Sequence, residues 1–302
     1  MPYRLSVPST GGIAQVRKVR PLRAGVGALL RAVPQLQPAL EKLLWRGFYE
    51  LASLRGNSAV AFMNYGYAPV EDGNADADVG TGEERFGLAL YAAVAGAAEL
   101  ADKDVLEVGC GRGGGSAFVF ERLHPSRLTG VDLARSAVRR CRRRYERPGL
   151  TFLAGDAQRL PFPAQAFDAV INVESSHCYP SMPAFLAEVH RVLRPGGLLL
   201  LADFRLTHLD PNAAARTGED VAMLRDQLLA AGMRTLEEQD ITAEVVRALS
   251  LATPEIRARV QHRVPAPLRR HALEFSAIEG SDMYRSFADR ELTYLRFVLQ
   301  KS

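Results

Sequence analysis

Residues 105–113 read Val-Leu-Glu-Val-Gly-Cys-Gly-Arg-Gly, and two further glycines follow at Gly114 and Gly115. Val105–Val108 is a short, largely apolar run of the kind that forms a strand inside a parallel sheet. It passes directly into five glycines within the seven positions 109–115. Only glycine lets a backbone turn so tightly and approach a ligand closely. A helix that starts there presents free amides and the positive end of its dipole. Strand, glycine turn and helix together predict the opening unit of a doubly wound α/β sheet. Its ligand crevice lies where the strand order reverses. By themselves the glycines need signify no more than a turn.

The pattern continues downstream. Strands are expected at Arg127–Val131, running to Asp132, and at Leu150–Ala154, Phe167–Val173 and Leu198–Ala202. Helices are expected at Ala117–Leu123, Ser136–Tyr145 and Met182–Leu193. Arg194-Pro-Gly-Gly197 reads as a turn. Strands alternating with helices imply a mostly parallel sheet covered on both faces. A helix at 218–231, a strand at Met233–Ile241, a long helical insertion at about 242–289 and a strand at Leu292–Leu299 would complete it. Upstream, Leu36, Leu40, Leu43, Leu44, Phe48, Leu51 and Leu54 recur at helical steps, predicting a helix over 35–63. A polar loop over 71–82 and a helix over Glu83–Leu100 follow. Three regions are therefore expected: a basic, flexible tail (1–33), a helical lid region (34–100) and the main domain (101–302).

The 302 residues carry 47% hydrophobic and 24% charged side chains and a net charge of +4, an ordinary soluble balance. Cys110, Cys141 and Cys178 have neither CxxC pairing nor His/Cys ligand spacing, so no metal site or disulfide framework is expected. That usage fits a reducing cytoplasm. No apolar run approaches the ~20 residues that span a bilayer. The tail contains Arg4, Arg17, Lys18, Arg20, Arg23 and Arg31 and no acid. It reads either as a solvated arm or as a segment making peripheral contact with anionic lipid or a partner. The arginines of 139–144 lie on the helix after the second strand. They read as a solvated face, and no nucleic-acid partner is expected.

Gly109, Gly111 and Gly114 also satisfy GxGxxG, so the turn alone admits a dinucleotide. Asp132 ends the second strand, 19 residues after Gly113, where a carboxylate can accept both ribose hydroxyls of an adenosine. Glu107 lies inside the first strand, where an acid is costly unless partnered. Asp156 ends the third strand, within reach of an adenine amino group. Three acids on three successive strands favour a methyl-donor site over a dinucleotide site.

The run 103–203 resembles the class I S-adenosylmethionine-dependent methyltransferases. The resemblance implies a Rossmann-like α/β fold: a seven-stranded, mostly parallel sheet with helices on both faces and a helical lid. It implies S-adenosyl-L-methionine as cofactor, S-adenosyl-L-homocysteine as product and no metal. Glu107 would organise the methionine end of the cofactor. The expected cofactor residues are Tyr65, Tyr67, Glu107, Gly109, Gly111, Gly113, Asp132, Leu133, Asp156, Ala157 and Asn172.

Asn172-Val-Glu-Ser-Ser-His-Cys-Tyr-Pro180 and Phe185-Leu-Ala-Glu-Val-His-Arg-Val-Leu-Arg-Pro-Gly-Gly197 are similar to the phthiotriol and phenolphthiotriol dimycocerosate methyltransferases. Bacterial fatty-acid and polyketide O-methyltransferases share their style. Phe62-Met-Asn-Tyr-Gly-Tyr67 and Asp203-Phe-Arg205 match in type. This nearer resemblance implies methylation of a hydroxyl or carboxyl oxygen on a small hydrophobic acceptor.

His177 follows the fourth strand, where an acceptor hydroxyl must lose its proton, and histidine is suited to that task near neutral pH. Alternatively it only bonds the loop. Glu174 is open to two readings: it holds His177 or a water, or it stabilises positive charge in a C-methylation. A cyclase that binds the cofactor without transferring methyl is a further alternative. Tyr65 and Tyr67 would either meet the sulfonium or anchor the loop. Tyr179 and Phe204 are the expected substrate contacts.

Overall fold

The structure is a computed structural model and describes residues 61–70, 84–208, 219–264 and 269–302, with Gly82 and Ala266. All of these fall within the compact unit Lys42–Ser302. The expected tail, nearly all of the 35–63 helix and the 71–81 loop lie outside the described residues. Residues 61–63 are described and are not helical.

Helix α1 (Arg85–Ala95) leads into β1 (Asp104–Val108), α2 (Gly114–Leu123), β2 (Arg127–Asp132), α3 (Arg135–Tyr145) and β3 (Leu150–Ala154). Next come β4 (Phe167–Val173), a short 3₁₀ turn (Ser176–Cys178), α4 (Met182–Val192) and β5 (Leu193–Leu206). The chain finishes with α5 (Val221–Ala230), β6 (Met233–Asp240), α6 (Thr242–Arg263), α7 (Arg269–Phe275), α8 (Asp282–Ala288) and β7 (Leu292–Lys301). The seven strands lie in the order β3-β2-β1-β4-β5-β7-β6. The pairs among β1–β5 are parallel, whereas β7 pairs antiparallel with β5 and β6. The chain moves outward from β1 to β3 and returns to β4 on the other side of β1. That reversal leaves a crevice at the carboxyl ends of β1 and β4.

The core is packed on both sheet faces. Leu106 and Val108 face one side with Phe185, Leu186 and Val189 of α4. Val105 faces the other side with Leu90 and Val94 of α1 and Phe152. Phe152, Phe185 and Phe287 are fully buried, each contributing about 1.5–3 kcal/mol. No helix among the described residues is long and apolar enough to cross a membrane.

Three expectations change. Residues 194–197 are an excursion inside β5, across which the pairing with β4 jumps from Phe167↔Leu193 to Ala169↔Leu198. The 242–289 insertion is three helices, the first of which ends at Arg263 with Val264 in extended conformation. Positive φ at Ala277 and Gly280, followed by the Ser281 cap, separates the other two. The fifth strand is also longer than expected. It carries Asp203, Phe204 and Arg205 beyond the sheet centre, opposite Leu295, Tyr294 and Thr293 of β7.

Candidate active site

The glycine turn is clamped to β2. Gly109 and Cys110 both donate to the Val131 carbonyl, at 2.8 and 3.0 Å. Asp132 accepts from the Gly111 amide through Oδ2 and from the Ala134 amide through Oδ1, both at 2.8 Å. Gly109, Gly111 and Gly113 have φ of +80°, +53° and +80°, which explains why the turn needs glycine.

The glycines differ in what a side chain would meet. A Cβ on Gly109 would lie 2.3 Å from Ser175 Oγ, one on Gly114 2.7 Å from the Ala61 carbonyl oxygen, and one on Gly115 2.0 Å from the Tyr91 ring. A Cβ on Gly111 would meet nothing within 4 Å among the described residues. Most of these glycines are needed for packing of the chain on itself. Gly111 is the one whose Cβ would find room among the described residues.

Glu107 is buried but not alone. Tyr91 donates to its Oε1 at 2.7 Å and Ser116 donates to its Oε2. Burial raises its carboxyl above the usual range, and the two hydroxyls oppose that rise. Tyr91 carries no motif, which is why sequence reasoning passed over it. Its position one helical step before Val94 reads only as core. Tyr91→Phe should lower stability by about 1–3 kcal/mol, since it strips a buried carboxylate oxygen of its donor. A thermal melt checks this, and an unchanged Tm would show that Tyr91 does not support Glu107.

Asp156 turns back to accept from the Gln158 amide at 3.1 Å, with Ala157 buried behind it and Leu133 half-buried nearby in sequence to Asp132. Asn172 sits at the end of β4. Its Nδ2 lies 2.9 Å from the Val108 carbonyl, 2.8 Å from Ser175 Oγ and 3.0 Å from the Tyr179 hydroxyl. Its Oδ1 is buried without a hydrogen-bond partner. A bound adenosine-type cofactor fits these residues. Gly111 leaves the room that a Cβ would fill, and Asn172 Oδ1 is an acceptor still to be satisfied.

Beyond β4, Glu174 adopts φ +50°, a strained backbone for a residue other than glycine. Its Oε2 accepts from the Tyr65 amide at 2.9 Å and the Tyr294 hydroxyl at 3.0 Å. Burial pushes its carboxyl up to about 8, against the lowering effect of Tyr65, His177 and Tyr294.

Glu174 makes no hydrogen bond to His177. The residue that holds His177 is Asp203, which the sequence marks only through the run Asp203-Phe-Arg205 and does not pair with His177. His177 Nδ1 donates to Asp203 Oδ1 at 2.8 Å, and the His177 amide donates to Oδ2 at 2.9 Å. Asp203 is fully buried, while the His177 side chain keeps 25% of its surface exposed. Burial alone would lower the imidazole. The Asp203 carboxylate outweighs it and holds His177 well above 6.5. The imidazole therefore differs from the near-neutral histidine that the sequence suggests. Burial would raise Asp203, but His177 and Arg205 hold it well below the ordinary carboxylate range.

The aromatic expectations divide. The Phe204 ring lies 4.5 Å from His177, 5.8 Å from Tyr65 and 5.4 Å from Phe287 (centroid distances), forming a wall over the pair. Tyr65 belongs to that wall. Tyr67 does not: it lines a separate open groove with Ala92, Ala93, Gly96 and Arg296, and the structure does not bring it to the glycine turn. Tyr179 bonds Ser175 Oγ at 3.0 Å and stacks edge-on against Phe185. Its hydroxyl would lie 2.9 Å from a Cβ on Gly109. It thus stands beside the glycine turn, bonded to Asn172 and Ser175. The arginines of α3 at 135, 139, 142, 143 and 144 are exposed.

Comparison with known proteins agrees with this geometry. A family profile described as "Methyltransferase domain" matches residues 106–201. The phthiotriol/phenolphthiotriol dimycocerosates methyltransferase of Mycobacterium tuberculosis is 38% identical over 263 residues, 86% of this chain and 93% of the relative. A fatty-acid O-methyltransferase of Mycolicibacterium smegmatis is 39% identical over 231 residues, 76% of this chain and 78% of the relative. Among solved structures, the [4+2]-cyclase SpnF superposes with a TM-score of 0.64 at 21% identity, covering 84% of this chain and 94% of its own. With its glycine turn, three strand-end acids and β5–β7–β6 ending, the chain belongs to the class I S-adenosylmethionine-dependent methyltransferases, in the group of the phthiotriol/phenolphthiotriol dimycocerosates methyltransferases.

Proposed function

We propose that the enzyme methylates an oxygen of a small hydrophobic, lipid- or polyketide-like acceptor, with His177 as general base. One observation carries this reading: the buried Asp203 carboxylate holding His177 Nδ1 at 2.8 Å. S-adenosylmethionine would supply, when bound, a methyl group on a sulfonium, and would leave as the neutral thioether S-adenosylhomocysteine when the sulfur–methyl bond breaks. Asp132 and Leu133 would hold its ribose, Asp156 and Ala157 its adenine, and Glu107, Asn172 and Tyr65 its methionine end. Gly109, Gly111 and Gly113 would supply the close backbone. With Nδ1–H given to Asp203, the neutral imidazole keeps its lone pair on Nε2. There it takes the proton of the acceptor hydroxyl as the oxygen forms its new bond to carbon. Asp203 then stabilises the imidazolium. Phe204, with Tyr65 and Phe287 beside it, excludes water from this step and offers apolar surface to the acceptor. The helical region 242–289 contributes Phe287 to that wall and serves as part of a lid.

Glu174 supports oxygen rather than carbon as the acceptor. A carboxyl pushed up to about 8 is mostly neutral at pH 7, and a neutral acid is poorly suited to stabilising a cation. The similarity of the fatty-acid O-methyltransferase points the same way.

The test uses the methyl-labelled cofactor and a panel of long-chain alcohols, fatty acids and hydroxylated polyketides. One S-adenosylhomocysteine should form per methylated product, with NMR placing the methyl on oxygen. A methyl on carbon overturns the oxygen assignment, and product without S-adenosylhomocysteine overturns methyl transfer altogether.

A further inference from the structure

We propose that Arg205 is a positioning residue that sets the working pH of the Asp203–His177 pair. The proposal rests on the reading of His177 as the base. Arg205 lies on β5, two residues beyond Asp203, and only 4% of its surface is exposed. An arginine buried to that degree requires partners. Its Nη2 donates to Ser176 Oγ at 2.9 Å and lies 3.8 Å from Met182 Sδ. Its Nη1 donates to the Phe204 carbonyl at 2.8 Å and stands 3.5 Å from Asp203 Oδ2. Its Nε stands 3.4 Å from Glu219 Oε2. Ser176 Oγ in turn donates to Asp203 Oδ2 at 2.6 Å.

One carboxylate is therefore shared between two cationic groups. Asp203 Oδ1 accepts from the His177 ring and the Phe204 amide. Asp203 Oδ2 faces Ser176, the His177 amide and the guanidinium. The proposed reaction has no step for Arg205 itself. In a buried, weakly screened site its charge keeps Asp203 ionised and opposes the charge of the imidazolium on the other oxygen. Arg205 thus holds His177 below the value that Asp203 alone would impose, so that a larger fraction is neutral and able to accept a proton. Glu219 offsets part of the Arg205 charge. The other titratable groups around the pair are Cys178 beside His177, Glu174 at the end of β4, Tyr65 and Tyr294. Burial keeps Glu174, Tyr65 and Tyr294 uncharged or largely so at neutral pH, so none of these three replaces the guanidinium.

The experiment follows the His177 Cε1–H resonance against pH in the full chain, which needs no acceptor, and the pH profile of kcat/KM. Arg205→Met should raise the His177 titration by about one unit, a tenfold change in proton affinity. Arg205→Lys should keep it within a few tenths of wild type, and Glu219→Gln should lower it by a few tenths. The acid limb of kcat/KM should move by the same amounts. A merely structural arginine would change the height of the profile and leave both titrations in place, which overturns the proposal. Where Arg205→Met does not fold, the Glu219→Gln shift decides, and its absence overturns the proposal equally. A resonance that moves while the kinetic limb stays fixed supports the coupling through Asp203 and overturns His177 as the base.

Discussion

Asp203→Asn is expected to lower kcat at neutral pH by about 10²–10⁴-fold. The substitution keeps the shape of the side chain and removes its charge. Two losses follow. The imidazolium formed during transfer is no longer stabilised by a buried anion. In addition, an asparagine amide can present its NH₂ to Nδ1, which places the remaining ring proton on Nε2, the wrong nitrogen for a base. His177→Ala should fall by a similar factor, and the double variant should fall little further, since the two residues act as one unit. Affinity for S-adenosylmethionine should stay within about threefold of wild type, which corresponds to well under 1 kcal/mol. Calorimetry of cofactor binding beside turnover with an active acceptor separates the two effects. Full turnover in either single variant would remove the pair from the mechanism and leave alignment of acceptor and methyl as the main source of rate.

The same pair shows what was legible in the sequence and what was not. The fold was legible because hydrophobic periodicity and glycine placement are local signals. Val105–Val108, the glycines, and Asp132 and Asp156 at strand ends all lie where their spacing implies. His177 was legible as a candidate from its place just after β4. Asp203 was not, because its contact with His177 spans 26 residues and crosses from β4 to β5. Only the register of those two strands brings them together, with Val173 opposite Ala202. Asp203 did stand out as an acid ending an apolar strand, in the run Leu198-Leu-Leu-Leu-Ala-Asp203, and as the first residue of the Asp203-Phe-Arg205 run, but neither signal pairs it with His177. Tyr67 shares a motif with Tyr65, yet it lines a groove beside Arg296 while Tyr65 packs against Phe204 and Phe287, a difference that nothing in the motif marks. Phe287 and Tyr294 come from the far end of the chain, and nothing local marks them as neighbours of Glu174 and Phe204.

Gly111→Ala should abolish measurable cofactor binding while leaving a folded protein, and Gly109→Ala should compromise the fold itself. Both residues have positive φ, so each alanine carries a backbone cost of about 1–2 kcal/mol. The side chains then part ways. At 109 the new Cβ would lie 2.3 Å from Ser175 Oγ and 2.6 Å from Ser175 Cβ, inside the network that ties Asn172 to Tyr179. Relieving that overlap shifts the end of β4 and adds about 1–3 kcal/mol. At 111 the new Cβ meets no atom of the described residues within 4 Å, so among them only the backbone term weighs on the unliganded protein. The methyl group would instead take space that the cofactor needs beside the amide pinned by Asp132. A loss of about 100-fold or more in affinity, near 3 kcal/mol, is expected because a close-packed turn cannot yield to it. Thermal melts of both variants with and without S-adenosylmethionine make the comparison. Gly111→Ala should melt near wild type without ligand and lose the ligand-induced rise. Gly109→Ala should melt well below wild type in either condition. If Gly111→Ala keeps the ligand-induced rise, the open space beside it is not where the cofactor sits, and the glycine turn serves only to join β1 to α2.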